Sequence, residues 1–406
     1  MAPGPLLLAH LLAWSASALA PHVLVVGGSG RVGGSTCRAL LQRGVRVSVG
    51  GRDAAALDRE RARWQRLEPL TPGIDTVSHV RLDIDADDTT ALADALKGYD
   101  AVVHTAGPFQ FKERPAVLAA AAAARVPYCD CCDDIGLGRK AVAAHGEAMR
   151  AAGVPAVVCA GTWPGVSSLL AARLCDDMAE AGKAVDAVDF SFFTAGSGGA
   201  GKAVLAATFL ILSEAAQAYE GGVATSYPPG SDTRQVDFGR LGSHEVYRMN
   251  LLEAVSAHEF LGAATTSTRF ATAPGVWNKL LRGVAELAPK ALLRDRAAMG
   301  FVAAFSEPIV RFVDGFVGSA NGIRCDVTSA DKTLRLSALH THPDLEACVG
   351  LAIAAFVDEI LAGGVPPGVH FPEQLPAAAR ARIIEAASLE DDGNDLMYGR
   401  FTGGGQ

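Results

Sequence analysis

The residues best equipped for chemistry come near the start of the chain. Gly28-x-Gly30-x-x-Gly33 follows the apolar run Val23–Val26 and precedes a helical stretch, Ser35–Arg43, which Gly44 closes as a C-cap would. Glycines between a strand and a helix allow a tight turn and a close approach of backbone to ligand. The amides at the helix start are left without intrahelical partners, and a pyrophosphate is an anion they suit. On this reading Gly28, Ser29, Gly30, Arg31, Val32 and Gly33 bind a dinucleotide, with Arg31 either touching phosphate or standing exposed in the first turn. The competing reading is a glycine-rich turn without a ligand. The coincidence of strand, fingerprint and helix favours the site.

Which dinucleotide is bound depends on the tip of the second strand. An NAD site presents Asp or Glu there to the ribose 2′-hydroxyl. Here Val45–Val49 runs into Gly50-Gly51-Arg52, so the tip carries a guanidinium suited to a 2′-phosphate. Asp53 falls one place later, where a helix cap would stand. The expected cofactor is therefore NADP(H). Asp83, after the third strand, is either an adenine contact or a solvated loop acid. Thr105, Ala106, Gly107 and Pro108, after the fourth, are small enough for the nicotinamide ribose to lie against the backbone. Asp130 and Asp133, in Cys129-Asp-Cys-Cys-Asp-Asp134, come at and just after the end of the next strand. They are the candidate catalytic residues, for proton transfer or for holding an iminium; the alternative is that both cap a helix or bond loop amides.

These residues need a particular frame. Strand-like runs at Val23–Val26, Val45–Val49, Val77–Leu82, Asp100–His104, Pro127–Asp130 and Ala156–Ala160 alternate with helical stretches such as Ala54–Leu67, Thr89–Lys97 and Pro115–Arg125. That alternation predicts an α/β fold, a Rossmann-type doubly wound parallel sheet over residues 21–165. The pattern then changes. Val185–Thr194 reads as an antiparallel strand, Lys202–Tyr219 as a long apolar helix, and Trp277–Phe316 as helical with breaks at Pro289 and Pro308. Ile323–Leu339 reads as a hairpin, so residues 166–340 form a second α+β domain with a mixed sheet. Pro343–Leu361 is a further helix within a C-terminal segment, 341–390, and Gly364–Glu373 is a turn region. Residues 391–406 read as a loose tail.

Composition excludes several classes. The chain has 406 residues, a net charge of −8 and a mean hydropathy of +0.22. An acidic balance without a Lys/Arg-rich stretch argues against a nucleic-acid protein. No apolar run reaches the roughly 18–20 residues of a membrane span. Eight cysteines without regular spacing do not form a secreted disulfide framework. Residues 1–20 lack charge and end in Ala16-Ser17-Ala18-Leu19-Ala20-Pro21, similar to the boundary motif of secondary-plastid leaders, with Leu19 in place of its Phe. Plastid import and a cytoplasmic protein with no import stand as equal readings.

The runs VLVVGGSGRVGGSTCRAL, VVHTAGPFQ, PYCDCCDD, AGTWPGVSSLLA, FTAGSGGAG and PPGVHFPEQL together resemble the saccharopine dehydrogenase-like NADP-binding oxidoreductases. The resemblance extends from about Val23 to Leu375. It implies an NADP-binding Rossmann domain, a mixed sheet-and-helix domain, and a C-terminal segment that returns to pack on the first. It does not fix a substrate.

Other constellations carry less. The cysteine cluster has no partner C-x-x-C, and His340-x-His342 is equally isolated, so no metal is expected. Gly196–Lys202 misses a phosphate-binding P-loop because Ala203 replaces the Ser/Thr, and it reads as lining the substrate side. No Tyr-x-x-x-Lys pair or nucleophile elbow occurs. Two functions follow: hydride transfer to or from a C=N or C=O group of a small-molecule substrate, or non-catalytic NADP binding or lipid association with the same fold. A substrate-carboxylate clamp would favour the first, and the candidates for it are Lys202, Arg248 and Arg269. A homodimer and a peripheral lipid contact through the apolar Met299–Val313 are the remaining partner expectations, beside the reading of that stretch as a helix covering the second sheet.

Overall fold

The computed structural model describes residues 20–196, 201–388 and 394–402. The expected leader, Ala20 apart, lies outside the described residues, as do residues 197–200 of the glycine cluster before Lys202. The first half alternates β1 (His22–Val26), α1 (Arg31–Gln42), β2 (Arg46–Gly51), α2 (Ala54–Leu67), β3 (Ser78–Arg81) and α3 (Thr89–Leu96). It continues with β4 (Ala101–His104), α4 (Ala116–Ala124), β5 (Tyr128–Asp130), α5 (Ile135–Ala151), β6 (Pro155–Val157) and α6 (Val166–Glu180). The second half holds β7 (Val185–Ala195), α7 (Lys202–Ile211), β8 (Ala216–Glu220), β9 (Val223–Tyr227), β10 (Arg234–Asp237), β11 (Ser243–Arg248) and α8 (Glu253–Leu261). Then come β12 (Thr265–Ala273), α9 (Val276–Leu287), α10 (Lys290–Leu293), α11 (Arg296–Val317), β13 (Ala320–Ser329) and β14 (Leu334–His342). The chain closes with α12 (Leu345–Leu361), β15 (Gly368–His370), α13 (Ala377–Ala387) and β16 (Asp395–Thr402).

The first sheet runs β15-β6-β5-β4-β1-β2-β3, and every pairing in it is parallel. Val23–Val26 are buried on both faces because helices cover both sides. The second sheet is mixed: β10-β11-β12-β7-β13-β14-β16, with β8 and β9 branching from β12. The α/β reading therefore holds, with a doubly wound parallel sheet and a second, mixed one. One apolar cluster joins them, from Val25 and Val103 through Leu170 on α6 and Phe356 on α12 to Phe190, Phe192 and Ile323. Each fully buried side chain of this kind contributes about 1.5–3 kcal/mol, so the sheets are held as one body.

Several local expectations are corrected. Helix α1 begins at Arg31, not Ser35, so half of the fingerprint belongs to its first turn. Helices α5 and α6 have no counterpart in the sequence reading. The apolar run from Lys202 ends at Ile211, after which Ala216 and Ala218 are buried while Gln217 is exposed, the period of a strand. Strand β7 is antiparallel to β13 but parallel to β12. Pro308 lies inside α11 without breaking it; the carbonyl it leaves unpaired is that of Ala304, an exposed residue. The supposed turn region contains β15, the seventh strand of the first sheet. Within the stretch read as a loose tail, Asp395–Thr402 pairs along the open edge of β14, whose backbone groups a strand can satisfy.

Candidate functional site

The turn between β1 and α1 is closed by Gly27 N–H donating to Gly50 O and Gly30 N–H to Gly27 O, each at 2.9 Å. A Cβ on Gly33 would stand 2.3 Å from Gly27 O and 2.6 Å from Thr105 Oγ1, so only glycine lets the helix approach the strand ends. A Cβ on Gly30 would meet only Gly27 O, at 3.2 Å, because Gly30 faces a groove. No side chain caps α1. The N–H groups of Arg31, Val32 and Gly33 thus begin a helix with no partner inside it. Ser29, Thr105, Ala106, Gly107 and Gly201 complete the groove walls. A glycine cradle with unpaired helix-start amides fits a dinucleotide pyrophosphate.

Charged side chains brace this loop from behind. Glu346, buried in the first turn of α12, receives both guanidinium arms of Arg63 at 2.7 and 2.8 Å. Arg38 and Arg31 approach it at 3.7 and 3.9 Å, and Arg31 remains partly exposed in the groove. At the tip of β2, Arg52 is exposed and has no ion pair among the described residues. Asp53 caps α2 by accepting from Ala55 N (2.9 Å) and pairs with Arg59 (3.1 Å). Asp83 accepts from the amides of Asp85 and Ala86, which ties it into its own loop.

The groove continues past Val32, Thr105, Gly107, Ala203 and Val204 into a cleft walled by Pro108, Phe109, Trp163, Ile211 and Leu251. Three carboxylates line the cleft, those of Asp133, Glu253 and Glu346, and no Lys or Arg does. The residues outside the description contain neither Lys nor Arg. Asp133 sits in the loop before α5. Burial pushes its carboxyl up to about 6, with Asp134 and Asp130 adding to the rise while Gln110 and its own backbone oppose it. Glu253 opens α8 and is almost wholly buried; burial carries it to about 7 although Ser167 Oγ donates to it at 2.9 Å. Asp133 is among the charges that raise it. Glu346 is already paired with Arg63. Asp133 and Glu253 are therefore the cleft's two proton-holding groups near neutral pH.

Asp130 is placed differently. One of its oxygens accepts from Cys132 N (3.0 Å) and Cys159 N (2.8 Å), and the other from Tyr128 Oη (2.9 Å). It is buried beside His104 on a neighbouring cavity and does not line the cleft. Its ligand atom lies within 4.8 Å of the Cys132 and Cys159 sulfurs. Burial keeps both thiols protonated, Cys159 at about 11, and Asp130 is saturated by three donors. The arrangement is a hydrogen-bonded knot joining the ends of β5 and β6. Asp134 caps α5 through Leu137 N (2.9 Å). The clamp candidates do not gather at the cleft. Arg248 and Arg269 both meet Asp232, and Lys202 lines the fingerprint groove outside the cleft, facing Glu307 at 3.5 Å. Sequence reasoning missed Glu253. Its only signal is a lone acid inside the apolar run Leu251-Leu252-Glu253-Ala254-Val255.

This combination defines a dinucleotide-binding Rossmann domain joined to a mixed-sheet domain. Residues 23–157 match the family model of the saccharopine dehydrogenase NADP binding domain, which bears out the resemblance read from the motifs. The saccharopine dehydrogenase (L-Glu forming) of Saccharomyces cerevisiae, solved in its apo form, shares 15% identity over 94% of this chain and 100% of its own, with a TM-score of 0.64. The homospermidine synthase of Legionella pneumophila, solved in complex with NAD, shares 10% identity over 95% of this chain and 91% of its own, with a TM-score of 0.59. At these identities the likeness is one of fold. No curated protein matches the chain in sequence.

Proposed function

We propose that this chain is an NADP(H)-dependent oxidoreductase that moves hydride to or from the carbon of a C=N or C=O group in a small substrate. The observation that carries this reading is continuity: the fingerprint groove opens directly into a cleft holding two carboxylates with raised proton affinity. When bound, the cofactor supplies the hydride. The amides at the start of α1 hold its pyrophosphate, and Thr105 to Pro108 take its nicotinamide ribose. Arg52 reads the 2′-phosphate; Asp53 is occupied as a helix cap and does not compete for a 2′-hydroxyl. Although the homospermidine synthase holds NAD, the guanidinium at this strand tip favours the phosphorylated form.

Glu253 and Asp133 hold the proton that the substrate nitrogen or oxygen gains on reduction. A carboxyl with a value between about 6 and 7 is protonated often enough to act as an acid at neutral pH. Asp130, saturated by its own donors, fixes the strand ends and is not assigned to proton transfer. With no cation in its wall, the cleft suits an uncharged carbonyl or a protonated imine and disfavours a substrate held by its carboxylate. The test is loss of NADPH absorbance in the presence of aldehydes and ketones, each with and without a primary amine. Saturable oxidation of NADPH by any of them supports the reading. Tight NADPH binding with no turnover across the panel would replace it with a non-catalytic role.

A further inference from the structure

The exposed apolar side chains of this protein are concentrated. Among the described residues fifteen large apolar side chains are exposed, and ten of them lie in the stretch from Val276 to Phe316 that forms α9, α10 and α11. On α11, Phe301, Phe305, Ile309, Phe312 and Phe316 recur at intervals of three and four, so they share one helix face. The four phenylalanines are 70–78% exposed. The helix buries other positions, Met299 and Ala303. Met299 packs with Ala285 of α9, Leu293 of α10 and Leu210 of α7 in one cluster. The buried side of the helix packs against α7 and α10, and a second apolar side faces outward.

Charge distinguishes this surface from the rest. Residues 276–317 carry six Lys or Arg and four Asp or Glu, a net +2 in a chain of −8. Lys279 and Arg294 are exposed and have no ion pair among the described residues, while Lys290 Nζ donates to the carbonyls of Leu212 and Ala285. A second copy docking through the same face would set these like charges against one another, since a two-fold contact brings each patch onto itself. An anionic bilayer offers the opposite charge together with an apolar phase for the phenylalanines. No helix among the described residues is long and apolar enough to cross a membrane, so the helix would lie in the interface plane. The surface also adjoins the cleft: Arg296, at the start of α11, donates to the carbonyls of Pro108 and Gln110.

We infer that the outer face of α9 to α11 docks on an anionic membrane surface, with the phenylalanine stripe of α11 seated among the acyl chains. The test is co-sedimentation of the full chain with vesicles of phosphatidylcholine alone or of equal parts phosphatidylcholine and phosphatidylglycerol. Binding to the mixed vesicles should be about tenfold tighter and should weaken in salt. The double variant Phe305→Asp/Phe312→Asp, changed only at exposed positions, should lower vesicle binding at least about tenfold while its NADPH titration stays as in wild type. Absence of wild-type binding to the mixed vesicles would overturn the inference, as would equal binding by the double variant. A wild-type dimer that the double variant converts to monomer, without vesicle binding by either, would assign the face to self-association instead.

Discussion

The two ends of the groove are built from different materials. At the fingerprint end the wall is backbone: glycines, helix-start amides and a turn closed by main-chain hydrogen bonds, with arginines anchored on Glu346 behind it. At the cleft end it is side chain: an apolar wall with Asp133 and Glu253 and no cation. The first end needs only a few consecutive residues in order. The second needs residues about 120 positions apart to converge through two sheets sharing one core. Cofactor binding should therefore fail through single glycine changes, and chemistry through distant carboxylate changes that leave binding intact.

The largest expected effect is at Gly30. Gly30→Val should abolish NADPH binding by fluorescence titration with the melting temperature little changed, because the branched side chain fills space that faces the groove and not the core. Retained binding would remove the fingerprint from the site. At the cleft end, Glu253→Gln or Asp133→Asn should lower kcat by about 10²-fold with NADPH affinity unchanged. A fall in affinity instead would merge the two ends into one function.

Arg52→Asp should weaken NADPH by about 1.5–3 kcal/mol, the range for a hydrogen bond to a charged group, while NADH is unaffected or gains. Equal losses for both in calorimetric titration would show that Arg52 does not read the 2′-phosphate. The smallest effects concern stability. Asp130→Ala should cost about 1–3 kcal/mol in urea melts, the penalty for a stranded buried donor. Glu253 has a folded value of about 7 against an ordinary 4.5, so the fold favours its protonated form. Wild type should then lose stability relative to Glu253→Gln as pH rises from about 4.5 through 7, and the gap should close at lower pH. A gap that widens on acidification would contradict the burial assigned to it.

How far the sequence disclosed this arrangement follows the same division. The placement of the fingerprint, Arg52 and Thr105 to Pro108 was legible because each stands at a strand end, where the parallel sheet brings its edge residues together. Asp130 and Asp133 were legible as neighbours but not as opposites. Tyr128 and Asp130 are two apart on a strand and share a face, so their side chains bond each other, while Asp133 lies beyond the strand in the loop that faces the cleft. Glu253 was hidden because nothing local marks it as anything but an acid in an apolar run. Strand β15 was masked by the prolines and glycine around it, and β16 by flanking acids and glycines. Those strands form through partners far away in sequence, β6 and β14.

The contrast between the two ends is tested most directly by one ratio. Rates of NADPH oxidation should be compared for an uncharged ketone and for the α-keto acid of the same carbon skeleton, each with the same primary amine in excess. A cleft with carboxylates and no cation predicts that the ketone is reduced faster, and that Glu253→Gln lowers its rate by about 10²-fold. Faster reduction of the keto acid would contradict the account, because it would require a carboxylate-binding cation that the cleft wall does not contain.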